Sequence, residues 1–303
     1  MKIYICTNKF QKLAAKVAAY SFSKLGYHEI EILELEKNEF LKSKLNLTYL
    51  RNGKLTKFVD DLQSFTLLRF LPFTINNTKK CLIIDPDVFA LQDPKNRINK
   101  IFDEENFQIA CTKIGNNFRS EVMFLKNTNT DWSFEDIIND LFNHKIDYKE
   151  LINLTSKKYF SNIFTLPIFF NHHDKIENDT IFLHTSKRIT QPWKEGLQVD
   201  FYNENTTKYY KFKQFLKKIL NLRYDKSSLS NHYIKHPNII VSKKVLYLFK
   251  ETLKSGFIKS DELESAIKSN YISEKFINKQ VWNINNPKIL HKCDKIFEIQ
   301  EGI

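Results

Sequence analysis

The sequence predicts an α/β fold: a mostly parallel sheet flanked by helices, followed by a helical C-terminal extension. Three observations carry that expectation. The first third alternates short apolar runs with a helical repeat. A strongly apolar run at residues 81–84 stops abruptly at two carboxylates, Asp85 and Asp87. Strong strand signals then fade beyond about residue 203, where Lys-rich helical periodicity takes over. The expected division is therefore an α/β domain over 1–203 and a helical region over 204–303.

Residues 3–6 are apolar and β-branched or aromatic in part, and read as a first strand. Leu13, Val17, Tyr20 and Leu25 recur near helical spacing, with Lys12, Lys16 and Lys24 between them. The run EIEILEL at 29–35 alternates and reads as a second strand. Residues 37–57 are polar and weakly periodic, as expected for a loop and a short helix at the sheet edge. An apolar stretch at 65–73 is interrupted only by Arg69, and a turn is expected at 76–80. Further strands are expected at 81–84, 107–111, 122–125 and 180–183, and helices at 132–143 and 148–154. Lys208, Lys211, Lys213, Lys217 and Lys218 interleave with Tyr209, Phe212, Leu216 and Ile219, the pattern of a basic amphipathic helix. A short strand-like run at 239–241 precedes two or three helices over 242–278, with Gly256 as a stop signal.

Composition narrows the function classes. No GxGxxG and no GxxxxGK[ST] occurs in a chain with only 6 Gly, which removes the two glycine-rich phosphate fingerprints. The formal charge of +12 favours anionic partners, but the basic residues are spread along the chain, which weakens a nucleic-acid reading. The 4 Cys form no CxxC, and Cys6, Cys81 and Cys111 lie in or beside apolar strand-like runs. They read as reduced core thiols of a cytoplasmic protein. No apolar run of about 18 residues exists, so no membrane span is expected.

The chemistry is expected at Asp85-Pro86-Asp87. Ligands of open α/β sheets bind beyond the carboxyl ends of the strands. Two carboxylates there suit a hard divalent cation whose open positions accept water and phosphate oxygens. Pro86 stiffens the link between them. The triplet alone leaves three readings open: a metal clamp, a phosphatase nucleophile, or a solvated turn. His184 also follows an apolar run, and imidazole suits Mn2+-type sites that carry carboxylates. Lys187, Arg188 and Lys194 follow it and could face a diphosphate.

Four segments resemble glycosyltransferase family 8, the group of glycogenin and the bacterial lipopolysaccharide galactosyl- and glucosyltransferases. They are IYICTNKFQKLAAKVAAYSF at 3–22, FTLLRFLPF at 65–73, CLIIDPDVFALQDP at 81–94 and FLHTSKRITQPW at 182–193. The resemblance covers roughly residues 1–200. It implies the GT-A fold, with a Rossmann-like, mostly parallel sheet, and a retaining hexosyltransferase using a nucleotide-sugar, with UDP as the expected base carrier. It implies Mn2+ on Asp85, Asp87 and His184, with Mg2+ as the alternative. It also implies that Thr7 and Asn8 lie beside the nucleotide, that Arg69 approaches the donor, that Pro86 belongs to the donor segment, and that Lys194 balances phosphate charge. The acceptor class implied is a glycan, a lipid-linked sugar or a lipopolysaccharide. The chain departs from the family at Asn8, where many members carry Asp, at Arg119-Ser120-Glu121, where they show an Asn-Ser/Ala-Gly run, and at Gln191, where a Lys commonly precedes the Pro.

Other residues carry weaker expectations. Asp131, Asp147 and Trp193 are candidate acceptor contacts, and Trp132 reads as packing. Arg69 could also be a side chain snorkelling from an apolar helix. His172-His173 in NHHDK reads as a loop, with a metal role as the lesser alternative. The helix at 208–218 is a solvated face or a contact with anionic lipid at the inner membrane face, and the region 204–303 serves acceptor, membrane or oligomer contacts. No general base stands out. Two rivals remain: a haloacid-dehalogenase-like phosphatase with Asp85 as nucleophile, and a non-catalytic basic protein that binds nucleic acid or membrane.

Overall fold

The computed structural model describes residues 1–75, 80–126, 130–201, 208–220 and 230–276. It forms two compact units, Met1–His184 and Thr185–Ile303. The turn expected at 76–80 lies, except for Lys80, outside the described residues, as do Cys293 and the last two residues of the 242–278 helical stretch.

The first unit begins with β1 (Lys2–Thr7), α1 (Lys12–Ser23) and β2 (Ile30–Glu34). In α1 the buried Leu13, Ala14, Val17, Ala18 and Phe22 line one stripe. Gly26, at φ +83°, then turns the chain out of the helix, a backbone conformation that side chains disfavour. Next come α2 (Glu39–Lys42) and a hairpin of β3 (Thr48–Arg51) and β4 (Lys54–Lys57). The short helix matches expectation; the hairpin was not foreseen, because its strands are polar and only Tyr49 is buried. A 3-10 segment, Ser64–Phe73, precedes β5 (Lys80–Ile84) and β6 (Val88–Ala90). Then follow α3 (Lys95–Glu104), β7 (Ile109–Ile114), β8 (Asn117–Lys126), α4 (Phe134–Phe142), α5 (Tyr148–Ile152), β9 (Ile163–Leu166), β10 (His172–His173) and β11 (Phe182–His184).

The main sheet has the order β2-β1-β5-β8-β7-β9. β1 pairs in parallel with β2 and β5, and β7 with β9, whereas β8 runs antiparallel to both neighbours. The α/β, mostly parallel expectation therefore holds, with one reversed strand. Cys81–Ile84 of β5 are wholly buried, which explains their unbroken apolar run: a central strand is covered on both faces. On one face Phe124 and Phe182 stack with ring centroids 6.2 Å apart, and Phe22 lies 5.4 Å from Phe182. The other core cluster holds Phe70, Phe73 and Phe160 together with Ile137 and Leu141 of α4. Each such side chain, fully buried, contributes about 1.5–3 kcal/mol. Cys6, Cys81 and Cys111 are buried and form no disulfide.

A second, three-stranded sheet has the order β10-β11-β6. The short strand expected at 180–183 is present as β11, which pairs with β6, the strand just past Asp87. β9 and β10 were not anticipated because four- and two-residue runs carry too little periodicity. α3 was missed because only Ile98 and Phe102 are buried on it.

In the second unit, α6 (Lys208–Ile219), α7 (Ile239–Lys254) and α8 (Ser260–Lys268) are helical as expected. Residues 239–241, expected as a short strand, are instead the first turn of α7. The Asn238 side chain caps that turn by accepting from the Ile240 and Val241 N–H groups. Trp193 packs within this unit, 5.8 Å from Phe249 between ring centroids.

Candidate active site

The site is built where β1 and β5 end. Ile5 pairs with Ile84, so Cys6 and Thr7 exit beside Asp85 and Pro86 at the same edge of the sheet. The Asp85 N–H donates to the Glu121 carbonyl of β8 at 3.0 Å, which holds the start of the carboxylate segment to the sheet. Asp87 leads into β6, whose partner β11 places His184 opposite Val88. That antiparallel register is what brings a distant histidine to the carboxylates. The His184 Nε2 lies 3.4 Å from an Asp87 carboxylate oxygen.

Asp85, Asp87 and His184 are all buried, at 5%, 5% and 4% exposure. One potential ligand atom from each lies within 4.8 Å of the others. Nδ1 of His184 faces the Asn171 side-chain oxygen at 3.1 Å, and the Asn171 amide donates to the Thr112 hydroxyl at 3.4 Å. That partner makes Nδ1 the donor and leaves Nε2 as the ligating nitrogen. Two carboxylates and one imidazole form a donor set for a divalent ion of the Mn2+ or Mg2+ class.

Arg69 does not snorkel. It is 4% exposed, and its Nε and Nη2 donate to the two Asp85 oxygens at 2.7 and 2.5 Å. Its Nη1 donates to the Ser120 hydroxyl at 2.8 Å, which in turn donates to the Ile152 carbonyl. The guanidinium thus fixes the orientation of Asp85 in a planar, two-pronged pair. Burial pushes the Asp85 carboxyl up to about 6; Arg69 opposes this and the nearby Asp87 adds to it. Burial lowers the His184 imidazole, but Asp87 and Glu121 outweigh it and its pKa is raised.

Thr7 and Asn8 are buried. The Asn8 amide donates to the Asp61 carbonyl at 2.8 Å and the Ser64 hydroxyl at 3.0 Å, while its own carbonyl oxygen is buried without a partner. Lys187, Arg188, Lys194 and Trp193 belong to the second unit. Lys187 is exposed, and the Arg188 guanidinium sits 5.2 Å over the Phe201 ring. The Lys194 ammonium is buried, 2.5 Å from an Asp200 carboxylate and 5.3 Å from the Tyr233 ring centroid. Asp131 is exposed. Asp147 caps α5, accepting from the Lys149 N–H at 2.7 Å, and also accepts from Gly53 N–H at 2.8 Å. Trp132 packs against Phe73 and Tyr159, as expected of a packing residue.

Glu121 was not foreseen at the site, and His173 was expected in a loop, with a metal role as the lesser alternative. Glu121 of β8 is 9% exposed. Burial would raise its carboxyl, but Arg119, Arg69 and His184 override this and hold it below the usual range. His173 pairs with His184 across β10 and β11, with ring centroids 4.9 Å apart. Burial, reinforced by His184, lowers its pKa to about 4. The departure at Arg119-Ser120-Glu121 was the available signal for Glu121. Nothing in NHHDK distinguished a two-residue strand from a loop.

No protein-family model matches the sequence, and no curated protein matches it. Solved glycosyltransferase structures are similar to it in part. The glycosyltransferase GlyE of Streptococcus pneumoniae TIGR4 aligns at 16% identity over 63% of this chain, with a TM-score of 0.43. This chain spans 56% of the GlyE chain. The galactosyltransferase LgtC, solved with donor and acceptor sugar analogues, aligns at 12% identity over 64% of this chain and 89% of its own, with a TM-score of 0.44. Mouse xyloside xylosyltransferase 1 aligns at 11% identity over 61% of this chain and 97% of its own, with a TM-score of 0.36. At these scores the likenesses transfer neither substrate nor mechanism.

Proposed function

We propose that this chain is a GT-A glycosyltransferase that transfers a hexose, with retention of configuration, from a UDP-sugar to a glycan, lipid-linked or lipopolysaccharide-type acceptor. The carrying observation is the convergence of Asp85, Asp87 and His184 at the carboxyl edge of the sheet, with one ligand atom of each within 4.8 Å of the others. The residues fit a divalent ion: all three are buried, the His184 tautomer is set by Asn171, and Asp85 is oriented by Arg69. A bound Mn2+ or Mg2+ would supply Lewis-acid stabilisation of a departing diphosphate.

The chain's own residues would do the rest. Arg69 holds the Asp85 carboxylate ionised and aimed, and its positive charge adds to the field that favours a diphosphate. Thr7 and Asn8, at the end of β1, stand where a nucleotide would lie beyond the strand ends, and the unpartnered Asn8 oxygen can accept from a base or ribose donor. Lys187 and Arg188 are proposed phosphate contacts. Lys194 would serve in that role only if it left Asp200. Asp131, Asp147 and Trp193 remain proposals as acceptor contacts, although Asp147 and Trp193 already have structural partners.

A phosphatase is not favoured. Its first carboxylate would have to act as a nucleophile, whereas Asp85 is clustered with Asp87 and His184 as a set of potential metal ligands. That reading also has no use for His184. A location in the cytoplasm, with peripheral contact at the inner membrane face, is part of the proposal. Among the described residues no helix is long and apolar enough to cross a membrane. On α6 the apolar Phe212, Phe215, Leu216 and Ile219 are exposed, as is Leu220 just past its end, while Gln214 is buried. Such a stripe beside Lys213, Lys217 and Lys218 suits an anionic lipid surface.

The test is hydrolysis of a panel of sugar nucleotides with Mn2+ and with EDTA, for the wild type and for Asp87→Ala and His184→Ala. Metal-dependent turnover of at least one donor is expected, reduced by about 100-fold or more in both variants, as for loss of a major electrostatic group. Equal turnover in all three proteins rejects the metal-site assignment.

A further inference from the structure

The described cluster has a second half. Glu121, His173 and His184 also place one potential ligand atom each within 4.8 Å of one another. We propose that these three residues form a distinct position for a Zn2+-class transition-metal ion, exclusive with an ion on Asp85, Asp87 and His184.

Backbone pairing builds this triad. Glu121 sits on β8 in the main sheet, and its carbonyl accepts from the Asp85 N–H. His173 and His184 are register partners in the small sheet. Neither position depends on a loop side chain finding its place. Two side-chain atoms of these residues are also unsatisfied. One Glu121 oxygen pairs with Arg119, while the other, Oε2, is buried without a partner. The His173 Nε2 is likewise buried without a partner. An unpaired buried polar atom costs about 1–3 kcal/mol, so two in one cluster call for a ligand. A divalent cation can satisfy a carboxylate oxygen and an imidazole lone pair together.

The donor chemistry selects the ion. Two imidazoles and one carboxylate are the ligand set of open zinc sites, with a position left for water. Two carboxylates and one imidazole favour harder ions. His184 belongs to both sets, and Asn171 occupies its Nδ1. Its single remaining lone pair, on Nε2, can bind one ion at a time. Occupancy of the Glu121–His173–His184 set therefore withdraws His184 from the Asp85–Asp87 set. Zinc binding at this triad stands by itself; the consequence that zinc antagonises donor turnover rests on the glycosyltransferase reading.

The test is isothermal titration of the whole chain with Zn2+ and with Mn2+, separately and in competition, on the wild type, Glu121→Gln, His173→Gln and Asp87→Asn. Circular dichroism checks that each variant is folded. Glu121→Gln is nearly isosteric and stands in if His173→Gln fails to fold. The wild type is expected to bind one Zn2+ in competition with Mn2+. Glu121→Gln and His173→Gln should each weaken Zn2+ by about tenfold or more while leaving Mn2+ within about twofold, as loss of one ligand from one set predicts. X-ray absorption at the zinc edge should report two imidazole ligands in the wild type and one in His173→Gln. Unchanged Zn2+ affinity in both variants, or simultaneous binding of one Zn2+ and one Mn2+, overturns the proposal. Asp87→Asn with unchanged Mn2+ affinity counts instead against the donor-metal assignment, and leaves the zinc triad standing.

Discussion

Replacing Arg69 with Met removes one partner of a buried ion pair without creating a large cavity. Arg69 and Asp85 are 4% and 5% exposed, and both Asp85 oxygens accept from the guanidinium. Breaking such a pair costs about 3–5 kcal/mol because the remaining charge is stranded. Protonation sets a ceiling. Neutralising a carboxyl of unfolded pKa about 3.9 at pH 7 costs roughly 4 kcal/mol. The expected loss at pH 7 is therefore about 3–4 kcal/mol, or roughly 6–16 °C in Tm at 2–4 °C per kcal/mol for a unit of this size. The sign of the pH dependence follows. In the variant the folded Asp85 pKa lies above its unfolded value, so stability is lost as pH rises. Lowering the pH from 7 to 6 should return up to about 1.4 kcal/mol. Urea melts in EDTA of Arg69→Met, Asp85→Asn and the double variant measure these quantities. The double variant should be more stable than the sum of the single losses implies, since it strands no charge. Additivity within about 0.5 kcal/mol, or a loss independent of pH, refutes the argument.

Two further outcomes are expected. Asp140 accepts from Lys158 and the Tyr159 hydroxyl and pairs with Lys145, and these contacts, Lys158 foremost, hold its carboxyl far below the usual range. Its folded pKa is depressed, so the contribution is present above the unfolded value of about 3.9 and fades as pH falls below it. Asp140→Asn should therefore lower Tm at pH 7, with the gap from wild type closing below about pH 4; a gap constant from pH 7 to 3 contradicts this. On α6, Phe215→Glu should abolish cosedimentation with vesicles containing anionic lipid, and wild-type binding should fall with added salt. Equal binding to neutral and anionic vesicles counts against the charged-surface reading.

Much of the first unit was legible from local pattern. The unbroken apolar run of β5 reads as a strand covered on both faces, and its abrupt end at Asp85 marked the candidate functional edge of the sheet. The hairpin of β3 and β4, α3, and the two-residue β10 were not legible. Their apolar content is sparse or short, and only pairing with other elements makes them regular. Residues 239–241 misread as a strand because β-branched residues fit either state when few; Asn238 decided for a helix by capping the next turn.

Asp85-Pro86-Asp87 and His184 were marked as chemistry by sequence alone, since each follows an apolar run and each is a ligand type. Sequence could not say that Arg69 clasps Asp85, because the contact depends on a 3-10 segment packing beneath β5 and β8. Nor could it separate His173 from an ordinary loop histidine, or make Glu121 more than a departure from a resemblance. Those roles come from register: β8 beside β5 sets Glu121 next to Asp85, and the β10-β11-β6 ladder sets His173 and His184 beside Asp87. Residue type and local periodicity are properties of the chain and can be read along it. Which carboxylate meets which imidazole is a property of strand pairing, which only the folded sheet supplies.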